Sequence, residues 1–229
     1  MFTQAYHLKI NDMKKTLKFL LKLFLVIIGL FLLYLVYSSI REYKPKPEIS
    51  LLDFCEPDTL NADSAYSIMI WNIGYGGLGA NMDFFYDGGH MVRDTEENVN
   101  KNINAISTRI KSEDTIDFFL LQEVDINSKR SYHLQEFESI GDIISDHVGF
   151  SGINYNFDFV PVPPKAPLGK VISGIATYTK HQPAAVFRRG FEGNYSWPTR
   201  LFMLKRCMLV SRYPTNTGNE FVLINIHNS

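Results

Sequence analysis

A run of 18 residues, from Leu23 to Ile40, carries no charged side chain, and it constrains this chain more than any other feature. It reads Leu23-Phe24-Leu25-Val26-Ile27-Ile28-Gly29-Leu30-Phe31-Leu32-Leu33-Tyr34-Leu35-Val36-Tyr37 before Ser38-Ser39-Ile40, and Phe19-Leu20-Leu21 extend it around Lys22. A helix needs about 20 mainly apolar residues to cross the hydrocarbon core. Lys22 can extend its ammonium from the end of such a span to the interface. Apolar residues fall on every side of the helix, so no single soluble face buries them. The pattern predicts a transmembrane helix over 19–40. A cleaved signal peptide is the alternative, but the apolar core is long for one and Ser38-Ser39-Ile40-Arg41 is a poor small-residue cleavage site. Lys9, Lys14, Lys15, Lys18 and Lys22 precede or open the span, and Arg41, Lys44 and Lys46 come after it. The excess before it favours a cytoplasmic N-terminus over 1–18 and a single-pass protein whose remainder lies on the extracytoplasmic side. Residues 41–64 read as a linker stiffened by Pro45 and Pro47, with Leu51, Leu52 and Phe54 beginning to dock on the domain beyond it.

From 65 to 229 the pattern is that of an α/β domain. Tyr66-Ser67-Ile68-Met69-Ile70-Trp71-Asn72-Ile73 is strand-like and ends at a glycine cluster. Thr95 is placed to cap a helix whose first turn holds Glu96 and Glu97. Val99, Ile103, Ile106 and Ile110 give that helix one apolar face. Thr115-Ile116-Asp117-Phe118-Phe119-Leu120-Leu121 is a strand of the kind buried on both faces, with Gln122-Glu123-Val124-Asp125 at its end. A further helix is expected over 131–147, and short strands near 155–160, 171–179, 205–212 and 220–227. Thr217-Gly218 reads as the turn of a hairpin. The formal net charge of -1 argues against a basic protein that coats nucleic acid. Cys55 and Cys207 form no CxxC pair, which disfavours a cysteine zinc site and leaves one bridge between them open.

Three residues stand where chemistry collects, at strand exits along one sheet rim. Asn72 closes the first strand, Glu123 closes the second, and His227 comes directly after Phe221-Val222-Leu223-Ile224-Asn225-Ile226. A carboxylate beside an amide oxygen is hard-oxygen ligation that suits Mg²⁺. Each residue alone has an ordinary explanation: a turn-forming Asn, a surface acid, a structural His. Gly74-Tyr75-Gly76-Gly77-Leu78-Gly79 formally matches the GxGxxG of dinucleotide sites. That reading needs a helix starting in the last glycines, and the next helix starts near Thr95, so the segment reads as a glycine loop. Phe84, Phe85 and Tyr86 farther along that loop could cover a substrate or pack on the sheet. Pro161-Val162-Pro163-Pro164-Lys165-Ala166-Pro167 reads as a rigid connector that could also form one wall of a cleft.

Taken together, Ile70-Trp71-Asn72-Ile73, Phe119-Leu120-Leu121-Gln122-Glu123-Val124-Asp125, Ser173-Gly174-Ile175-Ala176-Thr177-Tyr178, Lys205-Arg206-Cys207-Met208-Leu209 and Leu223-Ile224-Asn225-Ile226-His227 resemble the endonuclease/exonuclease/phosphatase superfamily, over about 66–229. The resemblance implies a DNase I-like four-layer α/β/β/α sandwich, incomplete at its C-terminus and preceded by the transmembrane helix. It implies a Mg²⁺-dependent phosphoesterase, with Mn²⁺ as a substitute, acting on nucleic acid or on a lipid headgroup. Glu123 would ligate the metal directly, and Asn72 would position the metal or a phosphate oxygen. His227 would hydrogen-bond a phosphate oxygen as water attacks in line, with Asn225 and Gln122 supporting these groups. Arg206 would face the phosphate, and Tyr155 and Asn156 would line the cleft.

The chain also departs from that pattern. It has no Gly-Asp-x-Asn element and no terminal Asp-His pair after His227-Asn228-Ser229. Asp146-His147 lies well upstream, in the expected helix. The departure implies a fragment of a longer protein or a truncated form. A catalytically inactive, membrane-tethered binding domain on the same fold is therefore the alternative to the enzyme.

Overall fold

The computed structural model describes residues 2–193 and 195–228, with side chains described from Met13 onward. Two compact units divide at Glu42 and Tyr43. The first is helix α1 (Phe2–Ile40). Its segment Met13–Ile40 is long and apolar enough to cross a membrane. Apolar side chains on all sides of it, such as Leu25, Ile27, Phe31 and Leu33, are exposed. The helix begins well before 19 because no Gly or Pro interrupts the preceding residues, which include the good helix formers Leu8, Lys9, Met13, Lys14 and Lys15. The side chain of Lys9, one of the cations that set the expected orientation, lies outside the described residues.

The second unit holds β1 (Glu48–Ser50), β2 (Ile68–Asn72), α2 (Glu96–Lys111), β3 (Phe118–Asp125), α3 (Glu136–Ile143), β4 (Val148–Val160), β5 (Gly169–Thr179), β6 (Ala185–Gly190), β7 (Cys207–Pro214) and β8 (Glu220–Ile226). Among the described residues they form two sheets, ordered β2-β3-β5-β4 and β1-β6-β7-β8. β2 and β3 are parallel, joined through α2, and the other pairs are antiparallel. Successive residues of a strand point to opposite faces, and β3 shows what this does. Phe119 and Leu121 join Val99, Ile103, Ile106 and Ile110 of α2 and Ile140 of α3 in one core. Phe118 and Leu120 turn the other way, toward Tyr213 of β7 and Leu223 of β8. A strand with apolar neighbours on both faces needs the unbroken Phe-Phe-Leu-Leu run the sequence supplies. The second inter-sheet core joins Ile175 and Phe150 to Val186, Cys207 and Leu209.

The described layers are therefore helices, sheet and sheet. On the outer side of β8, Val222, Ile224 and Ile226 are exposed.

Several elements depart from expectation. The helix expected over 131–147 is only eight residues long, because Tyr132 and His133 take φ of 55° and 62° and cannot extend it backward. Asp146-His147 lies just past that helix and sits where β4 pairs with Thr179, at the rim opposite Asn72 and Glu123. There His147 contacts Asp146 and the carbonyl of Ile116. The strand expected near 155–160 is the end of the 13-residue β4. Its first half contains Gly149, Gly152 and Asn154, residues that weaken a strand signal. β6 was hidden by its two arginines, one of which, Arg188, is buried and donates to the carbonyls of Ile153 and Lys205.

The segment expected as a linker contributes β1 to the second sheet, pairing with β6 from Glu48↔Arg189 to Ser50↔Phe187. Leu51 and Leu52 pack on the inter-sheet core as expected. Phe54 does not; it is fully exposed. Cys55 and Cys207 are free thiols. Cys55 lies beside Gln182 and Pro183 before β6, whereas Cys207 pairs with Gly190 at its far end, so the strand separates them. Gly218, at φ 79°, makes the β7–β8 turn at the expected place.

Candidate active site

Three side chains converge where β2, β3 and β8 end. Asn72 is the last residue of β2, and its Nδ2 donates to Oε1 of Glu123 at 3.1 Å. His227, just past β8, brings Nε2 to 3.5 Å from Asn72 Nδ2 and 3.6 Å from Glu123 Oε1. The side chains of His227 and Glu123 are 16% and 23% exposed, so they are reachable but largely removed from water. A carboxylate, an amide and an imidazole within 3.6 Å of one another can hold a cation on one side and an anion's oxygens on the other.

Local structure explains the placement. Glu123 is the extra residue of a β-bulge: Gln122 pairs with Ile175 and Val124 with Gly174, leaving Glu123 between them at φ 54°. A bulge re-aims one side chain without disturbing the strand on either side. Gln122 and Val124 stay in the core while Glu123 turns to the rim. His227 is placed by a buried amide bridge between the sheets. Gln122 Nε2 donates to Oδ1 of Asn225 at 2.8 Å, and Asn225 Nδ2 donates to the carbonyl of Ala176 at 2.8 Å. Buried amides satisfied this way fix the register of the strand that carries them. Two residues beyond Asn225, His227 has little freedom.

The amide of Asn72 is oriented differently from expectation. Its Oδ1 accepts the backbone N–H of Gly74 at 3.0 Å, which turns the NH₂ group toward Glu123 and His227. Asn72 thus donates through Nδ2 while its Oδ1, which has two lone pairs, accepts one hydrogen bond from Gly74. Arg206 Nη1 donates to the carbonyl of His227 at 3.1 Å and so braces that residue's backbone. Tyr155 lies on β4 opposite Ser173, stacked on Phe157 and packed against the cluster of Val92, Phe157, Val160, Leu168 and Val171. Asn156 is its neighbour on the same strand, opposite Ile172.

The glycine segment after Asn72 forms a tight turn rather than a helix start, and Asn102 of α2 donates to its Gly76 carbonyl. Phe85 packs against the Val92 cluster, and Tyr86 donates to the carbonyl of Val162, tying the aromatic loop to the proline-rich connector. Among the described residues no group of three or more His, Cys, Asp or Glu side chains forms a metal cage. Mg²⁺ does not need one, since it is commonly held by one or two carboxylates, several waters and substrate oxygens.

Beneath the bulge lies a buried charged cluster that the sequence reading passed over. Asp125, fully buried, accepts from Arg130 Nε at 3.0 Å and Nη2 at 2.8 Å and from Ser131 Oγ at 2.8 Å. Burial works against the charge of Arg130, but the Asp125 carboxylate outweighs it and raises the guanidinium pKa. The available signal was Asp125 itself, a charged residue at the end of an apolar strand with Arg five positions later. Glu136, also buried, accepts the Asp125 backbone N–H at 2.8 Å through Oε2.

Burial first, and the Asp125 carboxylate second, push the Glu136 carboxyl well above the usual range. The folded protein then keeps this proton to a higher pH than the unfolded chain does. Stability is expected to fall as pH rises from the ordinary glutamate value through the raised one. Glu136→Gln stays neutral and keeps an oxygen for the Asp125 N–H, so it is expected to flatten that fall. Urea denaturation at pH 5 and pH 8 measures it, and equal slopes in the two proteins would refute the assignment.

No protein-family model matches the sequence, and no curated protein matches it. Among solved structures, the chain is similar to an endonuclease/exonuclease/phosphatase from Beutenbergia cavernae, at 17% sequence identity and a TM-score of 0.41. The match covers 71% of this chain and 38% of that one, so the chain spans well under half the length of that structure.

Proposed function

We propose that this chain is a membrane-anchored, metal-dependent phosphoesterase that hydrolyses a phosphodiester or phosphomonoester of nucleic acid or of a lipid headgroup. One observation carries the reading: Asn72, Glu123 and His227, on β2, on β3 and just past β8, meet within 3.6 Å at a single partly exposed rim. A Mg²⁺ ion, or Mn²⁺ in its place, would supply Lewis acidity toward a phosphoryl oxygen and lower the pKa of attacking water. Glu123 would hold it. Asn72 keeps the Glu123 carboxylate aimed by donating one N–H and offers its second N–H to a phosphoryl oxygen. His227 donates to a phosphoryl oxygen as charge builds there. Gln122 and Asn225 hold β8 so that the imidazole stays in reach, and Arg206 braces the His227 backbone. Helix α1 would anchor the domain close to lipid headgroups, with its N-terminus cytoplasmic and the domain outside, which suits a phospholipid substrate as well as an envelope nuclease.

The test uses the full chain in detergent with plasmid DNA, sphingomyelin and phosphoinositides, each with Mg²⁺, with Mn²⁺ and with excess chelator. Hydrolysis of one substrate class only with metal present is the expected result, and hydrolysis undiminished by chelator contradicts it. His227→Ala is expected to lower turnover by about 10²-fold while leaving Mg²⁺ affinity nearly unchanged, because the imidazole serves the transition state rather than the ion. A matching loss of Mg²⁺ affinity would reassign His227 as a ligand.

A further inference from the structure

Two loops that turn in the left-handed region meet at one guanidinium. After β2, Gly74, Tyr75 and Gly76 take φ of 53°, 42° and 61°, and in β3 the bulge residue Glu123 takes 54°. Such values are uncommon for Tyr and Glu and persist where the surroundings over-determine them. Arg130 contacts both loops. Its Cζ lies 3.6 Å from the centroid of the Tyr75 ring. Its Nε and Nη2 grip the two oxygens of Asp125, two residues past Glu123, and Nη2 also donates to Ser173 of β5 at 3.1 Å. A planar guanidinium can stack on a ring with its face while its edge binds a carboxylate, which an ammonium cannot do. Asn72 belongs to the first loop through Gly74, and Glu123 to the second through the bulge.

We propose that Arg130 is a positioning residue: by clamping the loop after β2 against the bulge of β3 it sets the spacing between Asn72 and Glu123. The role of that spacing in metal binding rests on the phosphoesterase reading, whereas the clamp is a statement about geometry alone. Arg130→Lys keeps the charge beside Asp125 but loses the bidentate edge and the stack. Tyr75→Leu removes only the stacking face, and Tyr75→Phe keeps it, giving up a hydroxyl that is buried without a hydrogen-bond partner.

The experiment is calorimetric titration of each full-length variant with Mg²⁺, together with its crystal structure. Arg130→Lys and Tyr75→Leu are expected to remain folded, to bind Mg²⁺ about 10-fold more weakly or worse, and to open the Asn72–Glu123 contact beyond hydrogen-bond distance. Tyr75→Phe is expected to match the unmodified protein in both. Wild-type affinity and an intact contact in Arg130→Lys would overturn the proposal. So would unfolding of both Arg130→Lys and Tyr75→Leu, which would make the cluster structural. If the unmodified protein fails to bind Mg²⁺, the metal reading fails, and the crystallographic spacing still decides the clamp.

Discussion

Glu123→Gln is expected to reduce phosphoester turnover by at least ~10²-fold, because the proposed metal would contribute several kcal/mol of charge stabilisation and the carboxylate proposed to hold it would be gone. The substitution is close to isosteric. The bulge, the strand pairing around it and the inter-sheet bridge of Gln122 and Asn225 do not depend on the charge of Glu123. The variant is therefore expected to unfold at nearly the same urea concentration as the unmodified protein. Loss of activity with retained stability separates a chemical role from a scaffolding one. Steady-state turnover at saturating Mg²⁺ measures it, and activity within a few-fold of wild type would remove Glu123 from the mechanism.

Asp125→Ala is expected to have the largest effect on stability, about 3–5 kcal/mol, which for a domain of this size is a fall in Tm on the order of 10 °C. The side chain is fully buried and takes three hydrogen bonds from Arg130 and Ser131. Removing it leaves a guanidinium, 12% exposed, without the carboxylate that pairs with it through two hydrogen bonds. Breaking a buried pair from one side is far more damaging than replacing both partners. The double variant Asp125→Ala with Arg130→Met is accordingly expected to recover part of the loss. Thermal denaturation monitored by circular dichroism distinguishes the cases. A single variant as stable as wild type would show the pair to be dispensable.

Much of the positioning framework was legible in the sequence, because it is written in periodicity. The apolar face of α2, its Thr95 cap, the doubly buried β3 and the Gly218 turn follow from spacing and residue type. Thr95 accepts from the Asn98 N–H as a capping residue should. The illegible parts are those where tertiary contacts override local preference. β1 lies in a proline-containing stretch and becomes a strand only because β6 offers an edge. β4 carries Gly149 because the Tyr178 ring lies against it, 2.9 Å from where a Cβ would stand.

At the site, strand exits pointed to Asn72, Glu123 and His227. What spacing cannot show is rotation about a side-chain bond. The Gly74 N–H holds the Asn72 oxygen, and this turns the amide nitrogen toward Glu123 and His227. The cluster of Asp125, Arg130 and Glu136 escaped notice for the opposite reason. Charged residues near a strand end usually mark surface, and only packing reveals that these are buried.

The measurement closest to the central claim is the anomalous diffraction of crystals soaked in Mn²⁺. The account predicts a peak about 2.1 Å from a Glu123 carboxylate oxygen, with Asn72 still accepting from Gly74 and the His227 imidazole facing the same space. An ion bound elsewhere, with Glu123 turned away from both neighbours, would contradict it.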